Sequence, residues 1–155
     1  MYCLESVIGG AAVLQRLAGS VEEARIVPLH GPLSMLLMTD EYFDAVADPG
    51  GPGLEGFWKA PGGFGSSLRN CSVLGPVAYV EADYFGGAGT QAAQVWDRGS
   101  VVLGPLLLAV GERPPPSGGP ISRALSALGV RRGRHVDEFD AAGLGRHRRT
   151  EEWVD

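Results

Sequence analysis

The chain has 155 residues, a size that predicts one globular domain over residues 1–155. A hydrophobic content of 45% provides for a core, and a charged content of 20% argues against global disorder. Nucleic-acid-binding proteins usually carry a strongly basic surface. This chain has a net charge of −5, so we expect no nucleic-acid partner. No apolar run approaches the ~20 residues of a membrane span, and we expect no membrane partner. Cys3 and Cys71 fit free thiols in a reducing cytoplasm, where we place the protein.

The first half of the chain alternates short helical and strand patterns. Apolar residues at helical spacing and short apolar runs predict helices over 11–18, 41–47 and near 65–71, and strands over 25–29 and 33–38. Asp40 stands where its side chain could cap the second helix.

The strongest strand pattern lies between residues 77 and 108. It predicts three antiparallel strands, over 77–85, 91–96 and 101–108. A glycine-rich loop, residues 86–90, connects the first two, and its glycines suit backbone angles that other residues resist. Pro105 cannot donate a ladder hydrogen bond, so the third strand is expected at an edge of the sheet or with a bulge.

The remaining chain predicts an exposed proline loop over 111–119, a helix beginning at Pro120, and a charged tail over 135–155. Phe139, Leu144 and Trp153 are spaced as apolar anchors, so we expect the tail to dock onto the domain. Together these elements predict an α+β fold, with one mostly antiparallel sheet of four to six strands and helices packed on one face.

Two carboxylates form the first candidate site. Glu81 and Asp83 stand two residues apart on one strand, so their side chains share one side of the sheet. Paired carboxylates can bind a divalent metal or share acid–base work. They could equally lie on the solvent face of a half-buried strand.

The glycine-rich loop forms the second candidate. Its backbone N–H groups could approach a ligand or partner at Gly86, Gly87, Gly89 and the adjoining Gln91. The sequence GGAG is neither the dinucleotide fingerprint nor a phosphate-binding loop. A plain connection between two strands is the alternative.

Basic residues in the tail form the third candidate. Arg146 and Arg148 could clamp an anion, and His147 between them is a candidate catalytic residue. The alternative is a solvated tail whose charges are balanced by Glu151 and Glu152. Metal-ligand spacings and nucleophile motifs are absent, so we expect no metal and no cofactor.

Two stretches carry a resemblance. The strand and loop YFGG-x-G-x-Q and the tail GLGRHR-x-x-E-x-W resemble a group of small bacterial proteins for which no activity is established. The resemblance spans the last half of the chain and implies no catalytic residue.

The sequence favours a bacterial binding protein over an enzyme. In size, charge and class the chain is also similar to immunity proteins, which neutralise a toxin by direct binding. We expect a protein partner held by an acidic surface around Glu81, Asp83 and residues 86–91. The alternative is a small hydrolase or transferase for a phosphorylated ligand, with Glu81 or Asp83 as acid–base groups. The oligomeric state is not predicted.

Overall fold

Six strands form one antiparallel sheet in the computed structural model, which describes residues 1–154. In chain order the strands are β1 (Tyr2–Gly9), β2 (Ile26–Pro28), β3 (Ser34–Leu37), β4 (Val77–Phe85), β5 (Ala88–Asp97) and β6 (Ser100–Leu108). Across the sheet their order is β2-β3-β1-β4-β5-β6, so β2 and β6 are the edges.

The three consecutive strands predicted after residue 77 are confirmed, with one difference. β5 begins at Ala88, which pairs with Phe85, so the connection is a two-residue turn at Gly86 and Gly87 instead of a longer loop. The prediction for Pro105 is also confirmed: β6 is an edge strand, and its register against β5 shifts on either side of Val95.

Five α-helices and three short 3-10 helices complete the fold. The α-helices are α1 (Ala11–Ala18), α2 (Asp40–Val46), α3 (Phe64–Cys71), α4 (Pro120–Ala127) and α5 (Glu138–Ala142), and the 3-10 helices span Ser72–Leu74, Leu144–Arg146 and Thr150–Trp153. The hydroxyl of Thr39, not the Asp40 carboxylate, caps α2 by accepting the Tyr42 N–H at 3.1 Å. Asp40 instead pairs with Lys59, at 2.6 Å.

Helices cover both faces of the sheet. Leu4, Ile8 and Val80 point to one face and pack with α4 and the tail. Val7 and Tyr79 point to the other face and pack with α1, α2 and α3. The α+β class and the antiparallel sheet are therefore confirmed, whereas the placement of helices on one face is corrected. β4 carries apolar side chains on both of its faces, and each face has to be buried.

The tail lies beside the first half of β1. β3 pairs only with Ser6–Gly9, which leaves the earlier residues of β1 without a strand on that side. There the Arg148 carbonyl accepts the Cys3 N–H at 2.7 Å, and the Thr150 hydroxyl accepts the Glu5 N–H at 3.0 Å. Trp153 is only 6% exposed and belongs to the same core as α4. Within residues 1–154, no helix has the length and apolarity needed to cross a bilayer.

Candidate functional site

The two carboxylates of the predicted pair differ in burial. Asp83 is exposed, but Glu81 is 0% exposed. The Glu81 carboxylate accepts the backbone N–H groups of Trp58 at 2.7 Å and Lys59 at 2.8 Å, and the Tyr79 hydroxyl at 2.9 Å. These bonds fasten the loop before α3 to the sheet, and a side chain without exposed surface is not available to a docking partner.

A second buried carboxylate stands directly opposite Glu81 in the sheet. Glu5 on β1 is its cross-strand neighbour, so both side chains lie on the same face. Glu5 accepts hydrogen bonds from the Thr150 hydroxyl at 3.1 Å and from the Trp58 indole at 3.3 Å. Burial raises the pKa of Glu81, and the negative charge of Glu5 raises it further. Sequence reasoning missed Glu5, although a lone acid inside the apolar strand YCLESVIG was a usable signal.

The thiol beside this pair is not an activated nucleophile. The Cys3 sulfur donates to the Glu5 carboxylate at 3.0 Å. Burial, followed by that hydrogen bond, raises the pKa of Cys3 to about 12. Burial likewise raises the pKa of Cys71 to about 11. Both thiols therefore stay protonated near neutral pH, and a thiolate is the reactive form.

The glycines of the β4–β5 turn have different physical roles. Gly86 and Gly87 have φ values of 62° and 81°, the sign that a tight hairpin turn of the type I′ class requires. Gly89 lies in β5 and is not among the glycines with positive φ, but a Cβ there would collide with the backbone of β4 at Asp83 and Tyr84.

We expect Gly89→Ala to destabilise the protein by about 1–3 kcal/mol, because backbone atoms of a paired strand cannot move aside cheaply. Gly86→Ala should cost about 1 kcal/mol, the usual penalty of positive φ for a residue with a Cβ. Thermal melts of both variants would be compared with Gly53→Ala, where a Cβ meets open space. Equal midpoints for Gly89→Ala and Gly53→Ala would contradict the collision.

A cleft of about 630 Å³ opens beside this turn. Tyr2, Tyr84 and Phe139 form aromatic walls, and the rings of Tyr2 and Phe139 meet edge to face at 5.4 Å. Gly87, Gly89 and Gln91 from the predicted binding loop also line it. We call this space the central cleft.

Hydrogen bonds hold the walls of the central cleft in place. Gln91 accepts the Ile121 N–H through Oε1 at 3.1 Å and donates from Nε2 to the Tyr84 hydroxyl at 3.1 Å. The Tyr2 hydroxyl donates to the Leu144 carbonyl at 2.8 Å. Because these side chains are fixed before any ligand arrives, binding in the cleft avoids part of the usual cost of ordering them.

The charged groups that line the central cleft are both acidic. The Glu112 carboxylate accepts the Ala109 N–H at 2.7 Å, and the Asp137 carboxylate caps α5 by accepting the Asp140 N–H at 2.8 Å. Each hydrogen bond uses one oxygen, so each carboxylate retains a second oxygen for a ligand. Aromatic rings and carboxylates together favour a cation.

The basic residues of the tail are divided between two places. Arg146 lies 5.0 Å from the ring centre of Trp153 and donates to the Pro28 carbonyl at 3.1 Å. The His147 ring packs on the same tryptophan at 4.7 Å. Neither residue lines the central cleft, whereas Arg148 lines a smaller cavity of about 260 Å³ that shares Tyr2, Tyr84 and Gly87 with it.

The residues predicted for catalysis therefore do not converge. Glu81 is enclosed, Asp83 is exposed, and His147 lies against Trp153. Within residues 1–154, histidine, cysteine, aspartate and glutamate side chains form no group of three that could hold a metal ion. Comparison of the chain with protein-family models, curated proteins and solved structures finds no match.

Proposed function

We propose that this chain is a binding protein that recognises a basic protein partner, one cationic side chain of which enters the central cleft. The observation that carries the proposal is the composition of that cleft: three aromatic walls and two carboxylates, with no basic residue lining it. A lysine or arginine side chain matches both features, because its stem packs on the rings and its charge meets the carboxylates.

An inhibitor of the immunity type would work in this way. Such a protein neutralises its target by occupying the target's surface, and acidic groups speed its association with a basic target. The chain's net charge of −5 supports that steering.

Removing both carboxylates of the central cleft should abolish its preference for cations. The double variant Glu112→Gln/Asp137→Asn keeps the oxygen atoms that accept the Ala109 and Asp140 N–H groups, so the fold should persist. The probe is N-acetylarginine methylamide, and its neutral analogue carries citrulline. We expect the arginine probe to shift the Gln91 side-chain amide resonances and the double variant to bind it about tenfold more weakly.

The matched control is Glu22→Gln/Glu23→Gln, which removes two exposed charges away from the central cleft. This variant should bind the arginine probe as the unmodified protein does. Equal affinity of the protein for the arginine and citrulline probes would show that the cleft does not select a cation and would overturn the proposal.

A further inference from the structure

The edge strand β6 is long and uncharged. Its nine residues, SVVLGPLLL, contain no charged side chain, and Val102 and Leu107 are 57% and 55% exposed. An edge strand presents unpaired backbone N–H and C=O groups, and natural proteins usually protect such an edge with charged residues. Pro105 interrupts the donors at one position only, so the residues after it remain able to pair.

A cavity of about 310 Å³ runs beside the last three residues of β6. The proline loop and the start of α4 form its other wall, and the loop contributes Arg113 while α4 contributes Arg123. Neither guanidinium has a carboxylate within salt-bridge distance among residues 1–154. Glu112 also lines the groove, and its carboxylate accepts the Ala109 N–H. Among residues 1–154, the groove therefore offers a strand edge on one side and, on the other, two guanidinium groups without a carboxylate partner, with one positive charge in excess.

We infer that β6 and this groove receive an extended acidic peptide segment of a partner protein, which adds to the sheet as a seventh strand. Alternate side chains of such a segment point to opposite faces of the sheet. Acidic side chains would face Arg113 and Arg123 on the side of α4, and apolar ones would pack beside Leu107 on the other side.

A second copy of this chain fits the groove less well. β6 contains no acidic residue, so a copy that paired through its own β6 would bring no carboxylate from that strand to Arg113 and Arg123. It would also pair across Pro105 in both strands, where a donor is missing. The inference goes beyond the proposed function: the groove shares Leu108 and Glu112 with the central cleft, but the addition of a strand at β6 does not require the cleft to bind a cation.

The test uses the peptide acetyl-Thr-Val-Glu-Val-Glu-Val-Thr-amide, titrated into the isotope-labelled protein. We expect backbone resonance shifts over residues 106–108, and about tenfold weaker binding by Arg113→Gln/Arg123→Gln. Arg132→Gln/Arg134→Gln removes the same charge from exposed positions after α4 and should leave the affinity unchanged. A peptide with N-methyl groups on alternate residues should lose binding, because it cannot complete the strand ladder.

Three results would overturn the inference. One is equal affinity for a peptide with lysine in place of both glutamates, and another is equal affinity for the N-methylated peptide. The third is a protein that sediments as a dimer and fails to bind the peptide, which would mean that a second copy occupies the edge.

Discussion

Replacing Glu81 by alanine should lower the free energy of unfolding by about 3–5 kcal/mol. The substitution leaves three donors without their acceptor: the N–H groups of Trp58 and Lys59 and the hydroxyl of Tyr79. Each buried donor that loses its partner costs about 1–3 kcal/mol, and partial access of water to the exposed Trp58 segment reduces the total. Urea unfolding measures the change through the midpoint and slope of the transition.

The isosteric variant Glu81→Gln separates hydrogen bonding from charge. Glutamine cannot ionise. Its oxygen can accept the Lys59 N–H and the Tyr79 hydroxyl, but its NH2 group replaces the oxygen that accepts the Trp58 N–H, so its cost at neutral pH should be smaller than that of alanine without vanishing. A loss as large as that of Glu81→Ala would contradict a stabilising role for the hydrogen bonds from Lys59 and Tyr79, because glutamine keeps the acceptor of both.

The same pair of variants predicts a pH dependence. The pKa of Glu81 is raised in the folded protein above its ordinary value of 4.5, first by burial and then by Glu5. Its contribution to stability is therefore fully present below the unfolded pKa of 4.5 and is lost as pH rises through the folded pKa. Going from about pH 7.5 to about pH 5, the unmodified protein should gain stability relative to Glu81→Gln. An unchanged difference between the two across that range would refute the shift.

Trp153→Ala should cost about 3–5 kcal/mol, the usual range for a buried tryptophan. Its ring packs in the core beside α4 and carries the side chains of Arg146 and His147 on its surface. Loss of the ring should release the tail from β1. Hydrogen exchange at the amides of Cys3 and Glu5, which bond to Arg148 and Thr150, should then accelerate.

Two control variants accompany Trp153→Ala. Trp153→Phe keeps an aromatic ring and omits the indole N–H, which has no hydrogen-bond partner among residues 1–154, so its cost should be much smaller. Val154→Ala changes a partly exposed neighbour and should alter neither stability nor exchange. Unchanged protection of the Cys3 and Glu5 amides in Trp153→Ala would mean that the tail is held by its backbone bonds alone.

Local pattern was sufficient to predict most of the elements. β4 occupies the residues predicted for it, because alternation and flanking glycines and prolines are local signals. The helix beginning at Pro120 was likewise readable from its spacing and its first residue. The sequence of β4 also contains the signal that both faces of the sheet are buried. Ala78 and Val80 point to one face, Val77 and Tyr79 point to the other, and all four are apolar.

The burial of individual side chains, and the contacts between segments far apart in the chain, could not be predicted from local patterns. Alternation places Glu81 and Asp83 on one side, but it does not show that the loop at Trp58 covers only the first of them. The central cleft combines Tyr2, the β4–β5 turn, Glu112 and Asp137. No local pattern links segments so far apart, and the two cleft carboxylates were therefore missed.

The bonds between β1 and the tail also bear on when the molecule can finish folding. The Glu5 amide and the Thr150 hydroxyl that receives its hydrogen are 145 residues apart in the chain. During synthesis, we expect the first half of β1 to lack its partner on the side away from β4 until residue 150 has left the ribosome. Contacts of such sequence separation slow folding, because the entropy of closing the intervening chain is lost before the contact is gained. A ribosome stalled before residue 148 should thus hold a nascent chain in which the first half of β1 is still exposed to chaperones on one side.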